Sequence, residues 1–449
     1  MACPHQLLFR SLTHHLSCTT ARAFSTTDKL FAAGERHFKL AIVGGGAGGS
    51  AISNMFVSKL GKENVAVIEP SDTHYYQPMW TLVGSGIKTL EQSARPMSNV
   101  LKASTWIKDH VTEFRPKDNA VVIGSGEKIK YDYLVVAMGI VHRYDKVKGL
   151  REALDNYPEV VTNYDPKYVH KTLKAIQSFN GGTALFTMNV PIKCPGAPQK
   201  IMYLADDYWR KHGKRDKAKL IYNTALGAML GAPKYAEILY GICKKRDMEV
   251  NFLTKLVEID AKSKVATFDI IDKTFAPTGE TKTVKYDMIH VGPPFAPPDV
   301  LSNCKELTDK GGWLNLDKYT LQSASFSNVF GIGDCTNLPN AKTGAAVAAE
   351  AGVLKRNLLA VMENKKPTAS YDGYSSCPLP TSYSTGILAE FDYNWLPLET
   401  FPIDQGKERR AFYYFKTEVI PLVYWHGLVK GIWEGPTRLR KWFHLGMSK

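Results

Sequence analysis

A short apolar strand that runs into a glycine turn and then into a helix constrains this chain more than any other stretch. It is Lys39 to Phe56, KLAIVGGGAGGSAISNMF. Gly44, Gly46 and Gly49 stand at the spacing of a dinucleotide fingerprint, with Ala47 and Gly48 between them. The first glycine permits the tight turn, the second lets the backbone approach a pyrophosphate, and the third lets the helix pack closely on the strand. The diphosphate then rests on the helix N-terminus. Alone, such a pattern is weak. Its context strengthens it, because a second apolar strand, Val65 to Ile68, closes with Glu69, where a carboxylate reaches the hydroxyls of an adenosine ribose. The stretch reads as a βαβ unit that holds NAD or FAD.

At 449 residues the chain has room for two or three domains. Its 57 Lys and Arg against 43 Asp and Glu leave a net charge of +14, which attracts anionic partners. A nucleic-acid role finds no compact Lys/Arg cluster with interleaved aromatics outside the C-terminal tail. No run of eighteen apolar residues occurs, so membrane contact is expected to be interfacial. Cys3, Cys18, Cys194, Cys243, Cys304, Cys335 and Cys377 are scattered without CxxC pairs, which argues against a metal site and against a secreted disulfide scaffold. Residues 1–27 lack Asp and Glu and are rich in Ser and Thr, the composition of a mitochondrial transit peptide.

Two further signals extend the first. Tyr131 to Gly139, YDYLVVAMG, reads as an apolar strand leading out of the first FAD segment, and Asn328 to Asp334, NVFGIGD, as a strand whose terminal carboxylate bonds a ribityl chain. Lys342 to Leu354 reads as a small-residue helix whose N-terminus faces the flavin ring, with its dipole favouring the anionic reduced form. Thr105 to Val111 with Ala120 to Ile123 reads as a strand pair supplying adenine contacts through the Val111 backbone. His74 to Gly84, which includes Gln77, suits a loop lining the ligand. The FAD-binding residues expected are therefore Gly44, Gly46, Ala47, Gly48, Gly49, Glu69, Gln77, Val111, Gly139, Asp334, Lys342, Thr343, Gly344 and Ala345.

Residues 183 to 190 start another strand, and Ile201 to Trp209 carries apolar residues at helical spacing. Here a nicotinamide-binding unit would carry a second glycine fingerprint. The turn instead reads Pro191-Ile192-Lys193-Cys194-Pro195-Gly196-Ala197-Pro198, which argues that the reductant is not NADH. Cys194 precedes a helix start and adjoins Lys193, features that lower a thiol pKa; a lone cysteine is otherwise most often a small buried hydrophobe. Cys377, in Ser375-Ser376-Cys377-Pro378, and Cys335, beside Asp334, are the other candidates. From Ser370 the composition turns aromatic, Pro-rich and basic. Tyr413 to Phe443 has the pattern of amphipathic helices lying in a membrane interface.

The expected fold is α/β, with two Rossmann-like dinucleotide-binding domains, the FAD domain being discontinuous, and a C-terminal amphipathic membrane-associated region. Its parts are 38–160 and 299–368 for FAD, 161–298 for the second domain, which lacks an NAD fingerprint, and 369–449 for the C-terminal membrane-interface region.

VPIKCPGAPQKIMYL, NVFGIGDCTNLP, YDGYSSCPL and KWFHLGMS, together with the fingerprint, resemble the mitochondrial sulfide:quinone oxidoreductases of animals. The resemblance implies FAD, ubiquinone, and a redox-active pair at Cys194 and Cys377, as a disulfide that is plain or bridged by additional sulfur. It implies oxidation of hydrogen sulfide to a persulfide, transfer of the sulfane sulfur to glutathione, sulfite or coenzyme A, and a place at the mitochondrial inner membrane, of which the transit peptide favours the matrix side. Phe391, Tyr413, Tyr414 and Phe415 are the expected quinone-lining aromatics, and Lys416 either supplies a proton or orients the quinone carbonyl, or is a solvated lysine. Type II NADH:quinone oxidoreductases share such a fold and are the alternative. A flavoprotein scaffold without catalysis is a further one.

Overall fold

The computed structural model describes residues 35–447; the transit-peptide segment lies outside them. In chain order the first part contains β1 (Arg36–Val43), α1 (Ala47–Leu60), β2 (Val65–Ile68), β3 (Thr105–Ile107), β4 (Val111–Arg115), β5 (Ala120–Ile123) and β6 (Lys128–Val136). The next contains β7 (Val160–Val161), β8 (Gly182–Met188), α2 (Ala197–Lys211), β9 (Ala218–Thr224), α3 (Pro233–Lys245), β10 (Met248–Asn251) and β11 (Met288–Gly292). The chain ends with β12 (Val329–Gly331), α4 (Gly344–Met362), β13 (Ser375–Pro380), β14 (Gly386–Phe391), α5 (Arg410–Tyr414) and α6 (Thr437–Phe443).

The first sheet runs β3-β2-β1-β6-β5-β4, with β12 joined to β6. β1 lies parallel to both neighbours, with Leu40 opposite Val65 and Tyr133. Its residues Leu40, Ala41, Ile42 and Val43 are all buried, as the strands of a parallel sheet covered on both faces must be. Turning from β1 into α1 puts Gly44 at φ +101, where a Cβ would stand 2.5 Å from the Ala137 carbonyl oxygen. Only glycine fits there without strain.

β6 uses its length twice. Its first residues pair antiparallel with β5, while Leu134 to Val136 pair parallel with β12. This return of the chain brings Asp334 to the same carboxyl end of the parallel strands as the glycine turn, with Ile332 against Gly48. The expected pairing of Thr105–Val111 with Ala120–Ile123 is corrected in part: Thr105–Ile107 extends the parallel edge beside β2, and the antiparallel partner of β5 is β4, which begins at Val111. A turn at Asp109 and His110 separates the two short strands, so a single run cannot serve both edges.

The second sheet, β7-β11-β8-β9-β10, is wholly parallel. α2 and α3 follow β8 and β9, which is the alternation expected from the apolar spacing. β13 and β14 form an antiparallel pair in which Cys377 stands opposite Ala389 and Ser376 opposite Glu390.

The C-terminal region departs from plain amphipathic helices. Between Arg410 and Leu428, α-helical turns alternate with two five-residue π-helical segments, Phe415–Val419 and Tyr424–Leu428. One side buries Phe412, Lys416, Thr417, Tyr424 and Leu428, while Tyr414, Val419 and Leu422 are exposed. Farther on, Ile432, Trp442, Leu445 and Met447 are 71–84% exposed. Among the described residues no helix is long and apolar enough to cross a membrane.

Candidate active site

The site lies where β1, β6 and β12 of the first sheet end and where the loop after β8 meets β13. At the nucleotide end, Gly45 N–H donates to Glu69 Oε2 at 2.7 Å and Ser71 N–H to Oε1 at 2.7 Å. These bonds fix the half-buried carboxylate beside the glycine turn and leave each oxygen a further lone pair for a ribose hydroxyl. A Cβ built on Gly46 meets nothing within 4 Å, so that side of the turn is open to a ligand. The residues present therefore fit FAD: an open glycine turn on a helix N-terminus, an acid at the end of β2 and a second acid, Asp334, after β12. Val111 is buried at the start of β4 opposite Ile123, and Gly139 takes φ +67 just after β6.

Gln77, Lys342, Thr343, Gly344 and Ala345 line a cavity of about 310 Å³. Thr343 caps α4, its hydroxyl accepting from Ala346 N–H at 3.2 Å, and the preceding amides of the first turn remain available to an anion. Lys342 folds back instead, donating to the carbonyls of Thr336 at 2.7 Å and Leu338 at 3.1 Å, and burial lowers its pKa.

Cys194 and Cys377, 183 residues apart, bring their Sγ atoms to 3.6 Å. Close approach depends on Gly196, where a Cβ would stand 2.5 Å from Cys377 Sγ. Tyr164 O–H donates to the Cys194 carbonyl at 2.8 Å and steadies the loop. The cation beside the sulfur is not Lys193, as the sequence suggests. Lys200, at an inward position one turn into α2, places Nζ 3.6 Å from Cys194 Sγ. Lys193 turns away, with Nζ 3.0 Å from Asp334 Oδ2 and a hydrogen bond to Gln77.

A hydrogen bond from Cys377, above all, holds the Cys194 thiol well below its ordinary pKa against the opposing effect of burial; Lys200, Gly196 N–H and Lys416 add to it. The same bond, with burial, pushes Cys377 well up. Cys194 is thus the low-pKa member of the pair and Cys377 the high-pKa member. Burial pushes the Lys200 amine down, but the two sulfurs more than reverse this, so it stays a cation.

The other cysteines stand apart from this chemistry. Cys335 is fully buried, its sulfur towards the Val136 and Ile332 carbonyls, and burial raises its thiol to about 11. Its place among the redox candidates is therefore withdrawn. Cys243 is likewise buried and raised to about 11.

At the other end of the cavity Phe415 and Lys416 are lining residues, together with Tyr76, Phe401, Ile420 and Tyr424. Phe391 is not: it is buried in the core of the second sheet, 5.2 Å from the Trp395 ring. Tyr413 and Tyr414 stack edge-on at 5.5 Å on the helical side opposite Phe412, with Tyr414 53% exposed. Lys416 is not solvated either. It is 3% exposed, donates to the Pro78 carbonyl at 2.9 Å, and burial with the nearby Lys200 lowers it to about 7.

Sequence reasoning missed Lys200, Tyr164 and Glu390. For Lys200 a signal existed, since it interrupts the apolar stripe of Ala197, Ile201 and Leu204. Glu390 lines the cavity as a buried carboxylate, accepting from Tyr374, both donors of Thr400 and Gln405. Burial raises its pKa.

A profile of the pyridine nucleotide-disulphide oxidoreductase family matches residues 38–176. The chain is 49% identical to the mitochondrial sulfide:quinone oxidoreductase of Mus musculus over 416 residues, covering 92% of this chain and 91% of the mouse protein. The sulfide:quinone oxidoreductase of the hyperthermophilic bacterium Aquifex aeolicus superposes with a TM-score of 0.75 at 18% identity, covering 92% and 95% of the two chains. A Plasmodium falciparum NDH2 in complex with NADH shares the fold with a TM-score of 0.62 at 12% identity, covering 92% of this chain and 97% of its own. The chain belongs to the sulfide:quinone oxidoreductase family.

Proposed function

We propose that the protein oxidises hydrogen sulfide at a Cys194–Cys377 disulfide and passes two electrons to ubiquinone, in mitochondria at the matrix side of the inner membrane. The observation that carries this reading is a cavity that Cys194, the buried Lys200 and an apolar end all line, with Cys377 Sγ buried 3.6 Å behind that of Cys194. HS⁻ attacks Cys377 Sγ, the Cys194–Cys377 bond breaks, and a persulfide forms on Cys377. Cys194 leaves as a thiolate, which Lys200 and the Gly196 N–H stabilise; a low leaving-group pKa speeds such exchange. The thiol or sulfite of an acceptor, with glutathione, sulfite and coenzyme A as the candidates, then takes the outer sulfur and releases the Cys377 thiolate. Reclosing the disulfide frees two electrons. When bound, FAD supplies the two-electron carrier between the sulfur and the quinone. Its holders are Gly44, Gly46, Glu69, Asp334 and the first turn of α4.

Ubiquinone enters the apolar end beside Phe401, Phe415, Ile420 and Tyr424, and Lys416 supplies a proton there as its ammonium. The exposed Leu422, Ile432, Trp442 and Leu445 seat this end of the molecule in a membrane interface. The NADH reading has no support at the loop after β8, where the nicotinamide fingerprint is replaced by the prolines around Cys194.

Cys377→Ser tests the pair. Sulfide-driven ubiquinone reduction is expected to fall at least about a hundredfold, because the nucleophilic relay acts as a unit. Turnover within about twofold of the unaltered protein contradicts the mechanism.

A further inference from the structure

His74 is 2% exposed and joins two ends of the site that are far apart in sequence. Its Nδ1 stands 3.1 Å from the Gly45 carbonyl oxygen and its Nε2 2.6 Å from Tyr424 Oη. A carbonyl can only accept, so Nδ1 carries the proton and Nε2 accepts from the Tyr424 hydroxyl. Burial lowers the ring to about 4, which keeps this single-proton form at neutral pH.

On one side the bond holds the glycine turn, whose Gly45 N–H is held in turn by Glu69. On the other it holds Tyr424, whose ring lies 4.2 Å from that of Tyr76, and both rings line the cavity. Lys416 Nζ stands 5.9 Å over the Tyr76 ring. Trp425 closes edge-on against His74 at 5.6 Å and is covered by the Arg95 guanidinium at 4.8 Å. A continuous chain of bonds therefore runs from the acid at the end of β2 to the cavity wall beside Lys416.

We propose that His74 is a positioning residue with two separable duties: Nδ1 braces the dinucleotide turn, and Nε2 sets Tyr424 and hence the Tyr76–Tyr424 wall of the quinone end. The second duty rests on the reading of that end as the ubiquinone pocket. A single neutral hydrogen bond corresponds to a factor of about five in affinity.

Substitutions separate the two nitrogens in the FAD-loaded protein. His74→Asn keeps a donor near Gly45 but is too short to reach Tyr424. His74→Gln reaches Tyr424 but vacates Gly45, and Tyr424→Phe removes the hydroxyl at nearly constant volume. Three quantities are measured: FAD dissociation, read from the fluorescence of released flavin; the KM for a short-chain ubiquinone; and the rate of flavin bleaching by sulfide. His74→Asn and Tyr424→Phe are expected to raise the KM about fivefold while FAD release and bleaching stay within about twofold. His74→Gln is expected to release FAD about fivefold faster at an unaltered KM. The proposal is overturned if the Asn and Gln variants move both quantities together, or if Tyr424→Phe leaves the KM unchanged. Should neither His74 variant fold, the Tyr424→Phe KM decides alone. Failure of ubiquinone to reoxidise the unaltered protein instead removes the functional reading, and FAD release from His74→Gln still tests the brace on Gly45.

Discussion

Lys193, Lys200, Lys342 and Lys416 all border one cavity, yet their surroundings divide their roles. Lys193 is paired with Asp334, Lys342 is bound to loop carbonyls, and Lys200 is held charged by the two sulfurs. Lys416 donates to the Pro78 carbonyl and is lowered from 10.5 to about 7 by burial and by Lys200. Between about pH 7 and 10.5 the unfolded chain therefore binds a proton at this site that the folded chain does not. Stability contributed by the site rises with pH across that window, and its cost is fully present below about pH 7. Lys416→Met is expected to stabilise the loaded protein at pH 6 by about 1–3 kcal/mol, with the gain shrinking towards pH 9. Denaturant midpoints of both proteins at pH 6, 7, 8 and 9 check this. A difference that does not vary with pH contradicts it.

At the scale of elements, the local pieces of the site were legible because each is short-range in sequence. The strand and glycine turn before α1, the strand ending near Asp334 and the helix after Thr343 all follow from apolar runs and fixed offsets. What was not legible depends on how distant elements meet. The 3.6 Å approach of Cys194 to Cys377 requires the loop before α2 to lie against β13, and the residues alone gave no pairing; only the family resemblance did. Phe391 was misplaced because alternation along β14 sends it into the second core, while its neighbour Glu390 lines the cavity. Tyr413 and Tyr414 were misplaced because the helical register turns Phe412 and Lys416 inward, leaving Tyr414 exposed and Tyr413 half-buried away from the cavity. Nothing in the composition marked the two π-helical segments, one of which carries Lys416 and the other Tyr424. The exposed apolar residues near the C-terminus carry their own prediction. Trp442→Asp combined with Leu445→Asp is expected to weaken co-sedimentation with phospholipid vesicles at least about tenfold, with turnover of a water-soluble quinone within about twofold. Unchanged sedimentation contradicts the membrane-facing assignment.

For the molecule as a whole, a mixed sheet and a parallel sheet aim strand ends at one cavity, which has sulfur chemistry on one wall and aromatic, apolar residues on another. Sulfide oxidation releases protons and electrons, and quinone reduction consumes both, so a shared cavity shortens the path for each. The second sheet is wholly parallel, and the loop after its strand β8 presents Cys194 to the cavity. The most direct test of this account is anaerobic stopped-flow absorbance of the FAD-loaded protein mixed first with sulfide and then with a short-chain ubiquinone. The account predicts rapid bleaching of the flavin band by sulfide, a transient long-wavelength band from the thiolate beside the flavin, and recovery with ubiquinone. Flavin that stays oxidised in sulfide but bleaches with NADH would contradict it and return Cys194 to a structural role.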